Sequence, residues 1–174
     1  YHSIFGGSVK EGCVAVHPSD TAPALIALDA KVKTSRRTMD AEEFFQVEVS
    51  KTTVLDDYEV LESIQVPRPP DNTKSTFLKF ALRKSIDFPI VNCAAMVTKS
   101  NGTVENVRIC LNAVYVKPYR AREAEAFMKG KVIDEANAEK AGEAVAAEAA
   151  PLRHNAYMVQ VAKVLVKRAI LSCK

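Results

Sequence analysis

Hydrophobic and polar positions along Thr76–Val97, TFLKFALRKSIDFPIVNCAAMV, set the pattern around which the rest of the chain is organised. Leu78, Phe80 and Leu82 alternate with Lys79, Ala81 and Arg83, the period-two signature of a half-buried strand. On the polar face, Lys79 and Arg83 fall about 13 Å apart along one strand at the standard rise. The polar break at 84–87 precedes a second apolar run, Phe88 to Val97, so the stretch reads as two strands joined by a charged loop. Asn101-Gly102 is a type I′ hairpin signal. Beyond it Val107, Ile109, Leu111, Ala113 and Tyr115 alternate with Asn106, Arg108, Cys110 and Asn112, giving a third strand with one apolar and one mixed face. Three consecutive strands with short turns predict an antiparallel sheet.

From Pro118 onward the period becomes helical. A short helix is predicted over 120–129, ended by Gly130. An alanine-rich helix follows over 134–149, opening on Asp134 and Glu135 and stopping before Pro151. The last helix covers 155–171, with Gln160, Lys163, Lys167 and Lys174 on one polar stripe and Met158, Val161, Ala162 and Leu165 facing the sheet. The last 24 residues hold five Lys/Arg and no acid; a solvated helix face is favoured there over an anionic docking face.

Upstream, Gly6-Gly7-Ser8 marks a turn. Paired glycines also let main-chain amides approach a phosphate, but on their own they usually mark only the turn. Asp20 stands where a helix N-cap belongs, before TAPALIALDA, with Pro23 in the first turn. Arg36-Arg37 is read as a solvated turn, DAEEFF (40–45) as a short acidic helix, and Phe44 and Phe45 as core. LESIQVPRPP (61–70) reads as an edge-like strand stopped by Pro67, Pro69 and Pro70. Residues 68–75 are the expected linker between two units.

Composition narrows the class. The 174 residues are 48% hydrophobic and 26% charged, values of a folded globular chain. No apolar run approaches the roughly 20 residues that span a bilayer, and Tyr1-His2-Ser3 opens no signal peptide; a cytoplasmic setting is expected. The start, without an initiator Met, reads as a cut or processed end. A net charge of +3, with no aromatics among the basic residues, argues against nucleic acid as a partner. Cys13, Cys93, Cys110 and Cys173 share no close spacing, and His2, His17 and His154 have no metal-ligand spacing, so neither a disulfide framework nor an autonomous metal site is expected.

As a string, FLKFALRKSIDFPIVNCA resembles the strand–loop–strand that opens the C-terminal domain of the FAD-binding subunit of molybdenum hydroxylases. This is the family of xanthine dehydrogenase, aerobic carbon monoxide dehydrogenase and 4-hydroxybenzoyl-CoA reductase. The resemblance extends, in the family's order, to HPSDTAPALIALDA (17–30), to Arg37…Phe44-Phe45, to VRICLNAVYVKPYRAREAE (107–125) and to PLRHNAYMVQVAKVLVKRAI (151–170). It implies an α+β fold: a partial FAD-binding subdomain over 1–67, the linker, then over 76–174 a three-stranded antiparallel sheet covered by three helices.

The resemblance also implies the chemistry. The chain would be the C-terminal part of a flavoprotein subunit that passes electrons through FAD between iron–sulfur centres and an external acceptor. The molybdenum cofactor and [2Fe–2S] centres would lie on partner subunits, the molybdopterin-binding and iron–sulfur chains. The implied FAD contacts are Gly6, Gly7, Ser19, Asp20, Lys79 and Arg83, with no catalytic residue of the chain's own. Asp20 is thus either a helix cap or a cofactor ligand, or partly both. Lys79 and Arg83, otherwise solvent-facing strand residues, become cations beside the ring, with Asp87 as their local counter-charge. Ile86 replaces an acidic residue that some members carry in this loop. The family's two glycine-rich pyrophosphate loops would lie upstream, so flavin binding by this stretch alone is expected to be weak. Cys13 is placed like the last ligand of a [4Fe–4S] loop found in one branch; a semi-buried free thiol is the simpler reading. The rival from another class is a non-enzymatic scaffold that docks partner subunits without flavin.

Overall fold

The computed structural model describes residues 2–7, 14–48, 51–84 and 86–174. The first unit contains helix α1 (Thr21–Ala27) and strands β1 (Lys31–Thr34), β2 (Thr38–Asp40) and β3 (Leu61–Gln65), which form an antiparallel sheet in the order β2-β1-β3. As expected, the LESIQ segment is an edge strand, ended before the prolines. The predicted acidic helix at 40–45 is absent. Asp40 closes β2 opposite Lys31, and the chain then turns, with the Glu43 and Phe44 amides donating to the Asp40 carbonyl. Six residues are too few to nucleate a helix without help, and burial of Phe44 against Ile26, Val32 and Ala41 favours the turn.

The Arg36-Arg37 pair also differs from its expectation. Arg37 forms a bidentate ion pair with Glu59 (2.9 and 3.1 Å), whose carboxylate is sealed from solvent. The Asp56 amide, the Thr34 hydroxyl and Arg37 together hold the Glu59 pKa down to about 2. Both arginines remain at the surface, with Arg36 loosely paired with Asp56 and Arg37 anchored on Glu59.

The second unit is a sheet in the order β4-β5-β6-β7: β4 (Thr73–Phe80), β5 (Val91–Ser100), β6 (Thr103–Asn112) and β7 (Tyr119–Arg120), all antiparallel. The β5–β6 turn has Asn101 and Gly102 at φ +49 and +80, as a type I′ turn requires. Three details depart from expectation. β4 begins inside the expected linker, because Thr73 pairs with Thr98 through both strand register and hydroxyl contact. It stops at Phe80, so Ala81 to Arg83 belong to the loop, and Leu82 and Ile86 are exposed. β6 stops at Asn112, where Ala113 takes φ +62 and the chain turns to meet His17 through main-chain bonds. The short β7 adds a fourth strand that composition did not announce.

Register places the two faces. Leu78, Cys93, Ala95, Val97, Val107, Ile109 and Leu111 face helices α2 (Arg122–Met128), α3 (Glu135–Ala147) and α4 (Tyr157–Ser172) and form the main core with them. Asp134 caps α3 through the Asn137 amide, 2.7 Å. The lysine stripe of α4 is not freely solvated: Lys163 and Lys167 reach across to Glu135, Glu139 and Glu143 of α3. The helices meet where a Cβ on Gly142 would lie 2.6 Å from the Lys163 carbonyl oxygen. The opposite face, including Cys110, packs against the first unit, with α1 lying over β5 and β6.

Candidate functional site

The N-terminal end of α1 sits over one cross-strand row. Lys79 on β4 is the register partner of Asn92 on β5, and Asn92 of Asn112 on β6, so all three side chains share the face that α1 covers. Ser19, rather than Asp20, caps α1: its Oγ accepts from the Thr21 and Ala22 amides at 3.2 and 3.0 Å. Asp20 makes no cap bond. Its carboxylate instead accepts from Lys79 Nζ (2.6 Å) on one oxygen and from Asn92 Nδ2 (2.8 Å) on the other. Asp20 is therefore a side chain turned away from its own helix.

Lys79 Nζ also donates to the Asp87 main-chain oxygen, 2.6 Å. The expected counter-charge is thus reassigned: the Asp87 carboxylate pairs with Arg83 through two 3.2 Å bonds, and Asp20 supplies the carboxylate for Lys79. Arg83 holds the Asp87 pKa below the usual carboxylate range. Sequence placed Lys79 and Arg83 on one strand face; the structure brings Lys79 to Asp20 and ties Arg83 into the loop.

Asn92 and Asn112 are fully buried, and both Nδ2 atoms donate to the Ser19 carbonyl, at 3.0 and 2.6 Å. Neither Oδ1 has a partner. An orphaned buried acceptor costs about 1–3 kcal/mol, so this arrangement is not the cheapest filling of the space. Asn112 Nδ2 also lies 3.2 Å from His17 Nδ1. With the amide committed to donate, that ring nitrogen must accept, which places the neutral proton on Nε2. Burial pushes the His17 pKa down, which favours the neutral ring. The signal for Asn92 and Asn112 was present in the sequence as polar amides inside otherwise apolar runs.

The remaining predicted residues stand apart. Gly6, at φ +81, follows Phe5, whose ring stacks on Tyr119 at 3.9 Å. Among the described residues no hydrogen bond joins Gly6 or Gly7 to the Asp20 cluster. Cys13, the proposed cluster ligand, lies outside the described residues. Cys93, Cys110 and Cys173 are buried free thiols, and burial raises the pKa of each. Among the described residues no cluster of His, Cys, Asp or Glu could hold a metal ion, and no helix is long and apolar enough to cross a membrane.

The donor set fits the hydrogen-bonding edge of a flavin ring. The Lys79 ammonium has three N–H bonds, two of them used here, and the Asp20 carboxylate has acceptor positions left beyond its two partners. On the same face of β4 as Lys79, Phe77 is partly exposed. A shallow cleft of about 230 Å³ between α1 and β4, lined by Ala24, Leu28, Phe77 and Ala94, continues along this face. Another cleft, about 580 Å³, lies past the other end of α1; among the charges lining it, Arg108 pairs with Asp29 at 2.8 Å and Arg120 with Glu42 at 3.0 Å.

Comparison with known proteins places the chain in a family. Residues 3–69 match the FAD binding domain in molybdopterin dehydrogenase, and residues 76–173 match the CO dehydrogenase flavoprotein C-terminal domain. The chain is 32% identical to the carbon monoxide dehydrogenase medium chain of Hydrogenophaga pseudoflava, over 95% of this chain and 58% of that one. It is 29% identical to the aldehyde oxidoreductase FAD-binding subunit PaoB of Escherichia coli K12, over 93% of this chain and 49% of that one. It therefore spans about half the length of such relatives. Among solved structures, carbon monoxide dehydrogenase from H. pseudoflava superposes with a TM-score of 0.81 at 28% identity, covering 90% of this chain and 56% of that one. Quinoline 2-oxidoreductase from Pseudomonas putida 86 gives 0.78 at 28% identity, covering 91% and 57%. The chain belongs to the family of FAD-binding flavoprotein subunits of molybdopterin dehydrogenases.

Proposed function

We propose that the chain forms the C-terminal portion of the FAD-binding subunit of a cytoplasmic molybdenum hydroxylase. Its role is to hold FAD on the electron path between iron–sulfur centres and an external acceptor. The partners are a molybdopterin-binding subunit and an iron–sulfur subunit, and substrate is oxidised or reduced on the former. The observation that carries this reading is the Lys79–Asp20 pair, held at 2.6 Å over a buried amide row. When bound, FAD supplies the redox chemistry.

The chain's own residues bind and orient. Asp20 and Lys79 are the proposed ring and ribityl contacts, Ser19 fixes the start of α1, and the Arg83–Asp87 pair sets the shape of the loop beside them. Gly6 and Gly7 are proposed as main-chain contacts on sequence grounds. Two units meeting within residues 68–75 is our division of the chain. Cys13 as a [4Fe–4S] ligand stays a subsidiary proposal. The scaffold alternative gains nothing from the comparisons, since the relatives include subunits named as FAD-binding.

The test is the flavin content of the purified full-length subunit. Wild type is expected to carry flavin absorption, and Asp20→Ala to bind FAD about 10- to 100-fold more weakly, the scale of one hydrogen bond to a charged group. Asp20 and Lys79 are partly exposed, so loss of their ion pair alone should cost only about 0–1 kcal/mol of stability. A colourless wild type would favour the scaffold.

A further inference from the structure

We infer that Asn92 is a positioning residue, which sets flavin retention by steering Asp20 away from its helix and onto Lys79, and that Asn112 assists by clamping the preceding carbonyl. This rests on the flavin reading of the site and names the device that builds it. Asp20 occupies the position from which an aspartate ordinarily caps a helix. Here Ser19 Oγ takes both available amides, and its carbonyl is gripped by two buried amide donors at 3.0 and 2.6 Å. With the main chain of Ser19 pinned at both ends, Asn92 Nδ2 holds one Asp20 oxygen at 2.8 Å, and the other meets Lys79.

The amides leave two Oδ1 atoms buried and unpaired. An apolar side chain of the same branched outline, such as leucine, would leave no orphaned acceptor, so burial alone does not explain the asparagines. The register explains them: Lys79, Asn92 and Asn112 lie side by side across three strands, and only a donor in the middle position can reach both the Ser19 carbonyl and the Asp20 carboxylate. In this account Asn92 never touches the cofactor. It acts through Asp20.

The test uses the full-length flavoprotein, following FAD release and, on the flavin-free form, the melting temperature. Asn92→Leu is expected to release FAD about tenfold faster, the scale of one charge-assisted hydrogen bond, while the melting temperature stays level or rises. Combined with Asp20→Ala it should add nothing further, because both act on one contact. If Asp20→Ala loses FAD and Asn92→Leu keeps it as wild type does, the positioning role is overturned and the flavin site stands. If Asp20→Ala itself keeps FAD, the reading of the site fails. If Asn92→Leu loses FAD only together with a lowered melting temperature, Asn92 is a packing residue and the inference is overturned.

Should Asn92→Leu not fold, Asn92→Asp preserves the shape. Its carboxyl would face Asp20, the Ser19 carbonyl and the Asn112 amide, with Lys79 beyond. Protonated, it can donate to Asp20; ionised, it repels it. FAD release faster at alkaline than at acid pH supports the role, and wild-type release at all pH values overturns it.

Discussion

Replacing Lys79 by glutamine in the flavin-loaded protein is expected to lower the flavin midpoint potential, and replacing Asp20 by asparagine to raise it. Reduction places negative charge on the pyrimidine end of the ring, so a nearby cation favours the reduced form and a nearby carboxylate opposes it. The two groups form a 2.6 Å ion pair. Removing one leaves the charge of the other uncompensated, whereas removing both leaves a neutral site like the original. Each single substitution should therefore move the potential by on the order of 30 mV, the two-electron equivalent of about 1.4 kcal/mol. The double substitution should return most of the way to wild type. Redox titration of the four proteins checks this. Equal shifts in one direction from both single variants would mean that the substitutions merely loosen the site.

The second large effect concerns the helix layer. Gly142 lies inside α3, where alanine ordinarily stabilises by about 1 kcal/mol through helix propensity. Here the added Cβ would stand 2.6 Å from the Lys163 carbonyl oxygen and 3.1 Å from Lys163 Cγ. The close neighbour is main chain of α4, which cannot swing aside as a flexible side chain would. Relief requires the two helices to separate, at an overpacking cost of about 1–3 kcal/mol. Separation would also pull Lys163 and Lys167 from their glutamates on α3. Gly142→Ala is thus expected to lower the melting temperature by several degrees, at about 2–4 °C per kcal/mol for a domain of this size, and Gly142→Val by more. A raised melting temperature in Gly142→Ala would show that propensity outweighs the contact.

The sequence patterns read most surely where one physical rule governed a whole element. The apolar run from Phe88 to Val97, the Asn101-Gly102 turn and the alternation from Asn106 onward pointed to a hairpin, and it formed between β5 and β6. Asp134 and the alanine run specified α3, and the helical spacing of Met158, Ala162 and Leu165 opposite Gln160, Lys163 and Lys167 specified α4. Reading failed where neighbours in space outvoted neighbours in sequence. The alternation through Leu82 and Arg83 continued on paper, but β4 has no further partner past the Phe80–Val91 pair, so the strand ends there. DAEEFF has helix-forming acids, yet the burial of Phe44 and the Lys31–Asp40 pairing draw it into strand and turn.

The candidate site shows the same division. Asp20, Lys79 and Arg83 were legible through the family's motifs, and their chemistry through charge. That Asp20 would abandon its cap and that Lys79 would pair with it across 59 residues of chain are consequences of tertiary packing, whereas the Arg83–Asp87 pair, four residues apart, was legible as a local counter-charge. Asn92 and Asn112 were visible as polar letters in apolar runs. Their meaning required the register that sets them beside Lys79.

The central claim, that FAD lies against the Asp20–Lys79 end of the amide row, is tested most directly by an experimental structure of the full-length subunit with FAD bound. The account predicts Lys79 Nζ and an Asp20 carboxylate oxygen within hydrogen-bonding distance of the cofactor, with Asn92 still holding Asp20 from behind. FAD seated elsewhere, with the Lys79–Asp20 pair facing only solvent or a partner chain, would contradict it.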